Sequence, residues 1–226
     1  MQEYPPKKLG IIYLNYKSEI RAALKFQVLK SFLNYPIIEV SELGISNAIN
    51  IGLKKGFELG FENVLIAAND IEMPKGSIEA MLNAAEKIEY TGAIACHCVE
   101  HLPVHMEVEG IKIHPTWGVF GNTLITRKAF EAVGYWNLDQ DPYGMNDSDY
   151  CYRLHKAGFL NYYIGGYKAQ HLDNDAGSQT EYRLMKDRSL KRGAEVFEQW
   201  KQVYDKGNVY LPYEQEKYLI NMRQYV

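Results

Sequence analysis

The chain has 226 residues, 46% of them hydrophobic, enough for one large domain with a substantial core. A formal net charge of −3 excludes the broadly basic surface that sequence-independent nucleic-acid binding requires. Three cysteines, Cys96, Cys98 and Cys151, are an odd and sparse set that excludes a disulfide framework and points to a reducing, cytoplasmic setting. The first residues lack an apolar signal-peptide core and no window reaches the length of a membrane span, so a soluble protein is expected.

Residues 9–14 form an apolar run that opens into Asn15, and Ile20, Leu24, Val28 and Phe32 then recur at helical spacing. Pro36 breaks the chain before a short strand at 37–40, and Ser46 is placed to cap a helix carrying Ala48, Ile51 and Leu59. Residues 63–68 are apolar without alternation and too short for a helix, which reads as a strand covered on both faces. This β-α-β-α-β order predicts a mainly parallel sheet flanked by helices.

Asn69, Asp70 and Glu72 follow that third strand directly, where open α/β sheets place their ligand crevices. Carboxylates there suit a divalent cation held against a phosphate, and they equally suit a turn in which Asp70 caps the next helix. An amphipathic stripe of Ile78, Met81, Leu82, Ala85 and Ile88 predicts that helix, and 93–98 predicts another buried strand. The segment 100–115 is irregular, with alternation broken at Gly110, and reads as a β-excursion. A strand at 118–126, a short helix at 127–133 stopped by Gly134, a helix at 147–156 and a strand at 162–164 follow. From Thr180 onward the pattern is helical, with interruptions at Gly207 and Pro212.

Three groups of side chains carry chemistry. Asp147 and Asp149 open the helix at 147–156, where carboxylates face unpaired backbone N–H groups, and a general base would need one of them aimed into a cleft. Cys96, His97, Cys98, His101, His105 and His114 are zinc-ligand types, but Cys96 and Cys98 fall on one face of a strand with His97 opposite and no second ligand pair follows. Trp117 and Trp136 are either stacking surfaces or core aromatics, and Arg183, Lys186, Arg188, Lys191 and Arg192 form a basic or simply solvated helix face.

The segment from Gly121 to Gly134, continuing through Asp147-Ser148-Asp149 to Gly158-Phe159, resembles the acceptor-side half of family 2 glycosyltransferases. In the first half, Asn15 after the opening strand, Asn50-x-Gly52-Leu53 and Asn69-Asp70 resemble the same family. The resemblance covers about residues 9–178 and rests on several weak motifs in order. It implies an α/β, GT-A-like nucleotide-diphospho-sugar transferase domain over 1–178, and the helical pattern after it is read as an arm over 179–226 packed on the same domain. It further implies Asp147 as catalytic base, and Asp70, Glu72 and His171 as ligands of a divalent cation, manganese or magnesium. Asn15, Asn50, Asn69 and Asp70 fall on the donor side, and His101, His105, Trp117 and Asp149 on the acceptor side. The first aspartate of the family's metal motif is Ala68 here, the acidic residue before the base is Asn146, and the uracil-side aspartate has no clear match, with Glu39 and Glu42 nearby.

The implied activity is metal-dependent, inverting transfer of a hexose or pentose from a nucleotide-diphosphate donor, a UDP-sugar, to a hydroxyl. The acceptor stays open among saccharide, lipid-linked sugar, protein and modified nucleobase. Two rivals stand beside this reading: a nucleotidyltransferase, which leaves the 147–159 match without an account, and a non-catalytic nucleotide-sugar-binding protein, suggested by Ala68 and Asn146.

Overall fold

Ile11, Ile12 and Tyr13 are all buried because this central strand, β1 (Lys7–Leu14), has packed helices on both of its faces. The computed structural model describes residues 7–15, 19–41, 44–97, 106–172 and 180–214. Beside β1 run β2 (Ile37–Val40) and β3 (Phe61–Ala68), both parallel to it. A short β4 (Ile71–Glu72) follows β3, and the sheet continues with β5 (Thr91–His97), β6 (Met106–Val108), β7 (Ile111–Thr116), β8 (Thr123–Thr126) and β9 (Leu160–Lys168). The order is β2-β1-β3-β8-β5-β9-β7-β6. Only β8 and β7 run against the others, since β8 is antiparallel to β3 and β5, and β7 is antiparallel to β9 and β6. The mainly parallel sheet expected from the strand–helix alternation is therefore present.

Alternate residues of the strands feed two cores. Ile11, Tyr13, Leu65 and Ala67 pack with α1 (Glu19–Leu29) and α3 (Ser77–Lys87), through Val28, Ile78 and Met81. Ile12, Val64 and Ile66 pack with α2 (Ile45–Glu58), α4 (Arg127–Val133) and α5 (Asn146–Lys156). Gly52 lets α2 approach β1, because a Cβ there would come within 2.3 Å of Ile12 Cγ2.

Three expectations change in detail. The strand at 118–126 shortens to β8, with 117–122 forming a loop in which Gly121 takes a φ of +91°. The strand around 162–164 extends to nine residues. Among the described residues the C-terminal region holds one helix, α6 (Thr180–Tyr204), ended at Gly207 (φ +90°), and the part expected beyond residue 214 lies outside them. An extended segment follows it, and Leu211 bridges Gly134 there. No helix among the described residues is long and apolar enough to cross a membrane.

Candidate active site

The carboxyl end of β3 turns sharply at Asn69 and Asp70, both buried. Asn122, just before the adjacent strand β8, braces this turn, accepting from Ala68 N at 2.8 Å and reaching Ile71 O at 3.4 Å. The backbone beyond the turn forms β4, which pairs antiparallel with β10 (Gln170–His171), setting His171 opposite Ile71. Leu172 N donates to Asp70 O at 2.8 Å and closes the same corner. The result brings two residues a hundred positions apart together: His171 Nε2 lies 3.6 Å from Asp70 Oδ2. His171 Nδ1 is buried without a hydrogen-bond partner.

Glu72, expected as a third ligand, accepts from Gln27 Nε2 of α1 at 2.7 Å. Among the described residues no three His, Cys, Asp or Glu side chains converge as a metal cage. Asp70 and His171 alone fit a cation of the magnesium or manganese type. Such ions commonly take one or two protein ligands and fill the remaining positions with water and phosphate oxygens.

The neighbouring strand ends form a polar cluster. Asn15 Nδ2 donates to Glu39 Oε1 at 2.6 Å, and Lys25 Nζ bonds the same carboxylate at 2.9 and 3.0 Å. The lysine holds the Glu39 carboxyl below its ordinary range. Tyr13, paired in register with Glu39, buries its hydroxyl without a partner. Burial, reinforced by the charges of Glu39 and Asp70, pushes that phenol up to about 12. Asn15, Glu39 and Asp70 therefore lie together near the ends of the adjacent strands β1, β2 and β3. Sequence spacing left Glu39 only as a neighbour of the missing aspartate, and the strand register is what brings it to Asn15.

The start of α5 is held by a loop that the sequence alone does not predict. Asp141 accepts from Ser46 N at 2.7 Å and Asn47 N at 2.9 Å, so α2 is capped by a carboxylate 95 residues downstream of Ser46. The Ser46 hydroxyl, expected to cap α2, instead accepts from Asn146 Nδ2 at 2.7 Å. Burial pushes the Asp141 carboxyl up to about 7 against the stabilising effect of those N–H groups. Arg192 of α6 donates to the Asp141 carbonyl. Gly193 of the same helix packs on Gly144, with no room for a Cβ on either.

On this base Asp147 is half-buried and, among the described residues, makes no side-chain hydrogen bond or ion pair. Desolvation pushes its carboxyl up to about 7. Asp149, expected on the acceptor side, is fully enclosed instead. It pairs with Arg153 at 2.9 Å and accepts from Asn137 and Tyr204. Arg153 is itself wholly buried, and its remaining N–H groups reach the carbonyls of Val133, Tyr135 and Val209. The two aspartates thus divide into one carboxylate without a hydrogen-bond partner among the described residues and one that joins α5 to the C-terminal segment.

The aromatic and amide expectations also separate. Trp136 is core, stacked on Tyr150 with ring centroids 5.0 Å apart, whereas Trp117 is 54% exposed. Asn50, expected on the donor side, is 1% exposed and clamps Trp136, donating to its carbonyl at 2.9 Å and accepting from its N–H at 2.7 Å. Cys96 is buried, while His97 and His114 flank the Tyr163 ring. His101, His105 and Cys98 lie outside the described residues, as do the side chains of Arg183 and Lys186.

The sheet order and the two-layer helix packing define a GT-A-like α/β fold. No protein-family model and no curated protein matches the sequence. Among solved structures, the chain is similar to the catalytic domain of Drosophila β1,4-galactosyltransferase 7 in complex with xylobiose, at 12% identity and a TM-score of 0.53, over 76% of this chain and 74% of that one. A mutant of the same Drosophila enzyme, in complex with manganese, UDP-Gal and xylobiose, gives 11% identity and a TM-score of 0.53 over the same shares. GalNAc-T7 with UDP, GalNAc and Mn2+ matches at 10% identity and a TM-score of 0.51, over 73% of this chain and 43% of that chain. At these identities the likeness is one of fold.

Proposed function

We propose that the chain is a metal-dependent, inverting glycosyltransferase, of the family 2 type, that moves a sugar from a UDP-sugar to an acceptor hydroxyl. The observation that carries the reading is Asp147: a carboxylate in the first turn of α5 that, among the described residues, makes no side-chain hydrogen bond and that burial pushes up to about 7, in a chain that also brings Asp70 and His171 within 3.6 Å of each other. A general base works best with a pKa near the operating pH. The likeness to enzymes whose structures hold UDP or UDP-Gal and manganese supports the same assignment.

In the reaction, Asp147 takes the proton of the acceptor hydroxyl as that oxygen bonds to the anomeric carbon. The bond from that carbon to the diphosphate oxygen breaks, and attack from the opposite face inverts the centre. Asp70 and His171 would hold a divalent cation, manganese or magnesium, which offsets the charge on the leaving diphosphate. Asn15 and Asn69 line the donor crevice, and Glu39 offers a carboxylate to a nucleobase N–H. Asn146 has a positioning role, since its amide ties the Asp147 turn to Ser46 and Gly144.

A nucleotide-sugar panel tests the proposal. The matching UDP-sugar should raise the melting temperature in the presence of MnCl2 through preferential binding to the folded state. The same compound should be hydrolysed slowly to UDP and the sugar, with the first-formed anomer opposite to that of the donor by NMR. If the panel gives neither stabilisation nor turnover, the proposal is wrong.

A further inference from the structure

The side chain of Asn122 spans the Asn69-Asp70 turn from outside. Its Oδ1 accepts from Ala68 N, the residue before the turn, and its Nδ2 reaches Ile71 O, the residue after it, at 2.8 and 3.4 Å. At 1% exposure the amide is removed from solvent, and a buried amide must find its partners in the protein. The strand register explains why a side chain acts here. Pairing of β3 with β8 ends at Ile66 opposite Thr123, one residue short of Asn122, whereas pairing of β3 with β1 runs on to Ala68. On the β8 side the Asn122 amide takes over where the main chain stops. An amide suits the position because one plane offers both an acceptor and a donor, and a carboxylate of the same size has no donor for Ile71 O.

Both candidate cation ligands depend on the backbone that this amide holds. Asp70 lies inside the span from Ala68 to Ile71. His171 stands opposite Ile71 in the β4–β10 pair, and Leu172 N donates to Asp70 O at 2.8 Å. Ile71 therefore meets Asn122 at its carbonyl and His171 as its strand partner. The 3.6 Å between His171 Nε2 and Asp70 Oδ2 is a distance between two segments that share Ile71 as their link. Asn122 is itself fixed by the loop before it. Val119 N lies 3.5 Å from Cys151 Sγ of α5, Phe120 N donates to Tyr163 Oη at 3.1 Å, and Gly121, at φ +91°, turns the chain into β8.

We propose that Asn122 is a positioning residue for the divalent-cation site: its amide holds the Asp70 turn and, through Ile71, His171 in the arrangement that receives the cation, without touching the cation itself. This inference rests on the glycosyltransferase reading above. Asn161 supplies a matched control. It is a second buried amide, 2% exposed, that accepts from Ala93 N at 3.0 Å and donates to Cys151 O at 2.9 Å, at the start of β9 and so at the far end of that strand from His171. The test titrates MnCl2 into the full chain with excess UDP and follows both the melting temperature and the electron paramagnetic resonance signal of free Mn2+. In the wild type, MnCl2 should raise the melting temperature. Asn122→Ala should raise the MnCl2 concentration at half-maximal effect by about tenfold or more, the scale for losing a group that orients a metal ligand. Asn122→Asp keeps the acceptor for Ala68 N and loses the donor to Ile71 O, so its midpoint should fall between the two, and it stands in if Asn122→Ala does not fold. Asn161→Ala should lower the metal-free melting temperature and keep the wild-type midpoint. A wild-type midpoint in whichever Asn122 variant folds, or an equal shift in Asn161→Ala, overturns the positioning role. Absence of any MnCl2 effect on the wild type overturns the metal-dependent glycosyltransferase reading itself, and the positioning role falls with it.

Discussion

Tyr204, at the end of α6, donates its hydroxyl to Asp149 Oδ2 at 2.9 Å, two residues from Asp147 along α5. Asn137 Nδ2 bonds both partners, at 3.1 Å to the carboxylate and 3.2 Å to the phenol. This buried triangle carries load between the C-terminal helix and the candidate base. Tyr204→Phe keeps the ring and removes one bond to a charged group, and is expected to lower unfolding free energy by about 1.5–3 kcal/mol. Arg153→Leu leaves Asp149 buried without its cation and should cost more, about 3–5 kcal/mol. Urea denaturation measures both, and a Tyr204→Phe midpoint equal to wild type would remove the arm from the account of α5 stability.

Asp147 and Asp149 should respond in opposite ways to the same substitution. Asp147→Asn retains shape but accepts no proton, so turnover should fall by about a hundredfold or more while the fold and donor binding persist. Asp149→Asn weakens the Arg153 pair and should show first as a loss of thermal stability. Steady-state kinetics beside calorimetry separates the two, and the assignment of the base fails if Asp147→Asn turns over donor at the wild-type rate.

The pH dependence follows from the raised Asp147 carboxyl. Because the base acts deprotonated, turnover should climb with pH through about 7 and level off above it. Stability should move the other way. The folded protein holds a proton on Asp147 up to about 7 that the unfolded chain loses near 4, so the folded state binds more protons in that window and stability falls as pH rises across it. Asp147→Asn should therefore gain in melting temperature relative to wild type at pH 8, with the difference fading by pH 4. A difference that is flat across this range would mean that Asp147 titrates as an ordinary surface carboxylate.

Metal dependence should follow Asp70 and His171 and spare Glu72. Thermal-shift titration with UDP and MnCl2 should show loss of the manganese-dependent increment in Asp70→Ala and His171→Ala. Glu72→Ala should retain that increment, since its carboxylate is already bonded to Gln27. An equal loss in all three variants would restore Glu72 as a ligand.

Helical and strand periodicity made most of the secondary structure legible before any coordinates. The apolar runs at 9–14 and 63–68 mark strands buried on both faces, and the spacing of Ile78, Met81 and Ile88 marks the inner face of α3. Asp70 beyond the end of β3 and Asp147 in the first turn of α5 were legible too, because each position depends only on where a local element stops or starts. Asn50 and Gly52 illustrate the limit of motif reading. Their spacing stood out, but it reflects packing: Gly52 admits Ile12, and Asn50 clamps Trp136 from 86 residues away.

What the sequence by itself determined was the alternation of strands and helices, the faces they bury and the ends at which acidic residues fall, all properties of short windows with fixed periods. Tertiary structure alone decided the partners: that β10 pairs with β4 and brings His171 to Asp70, and that Glu72 accepts a hydrogen bond from Gln27. It also decided that Asp141 caps α2, that Asn146 reaches Ser46 across 100 residues, and that Trp117 is exposed while Trp136 is buried. The physical reason is that strand order and helix docking set such contacts, through burial and hydrogen bonding between segments whose separation along the chain leaves no periodic trace.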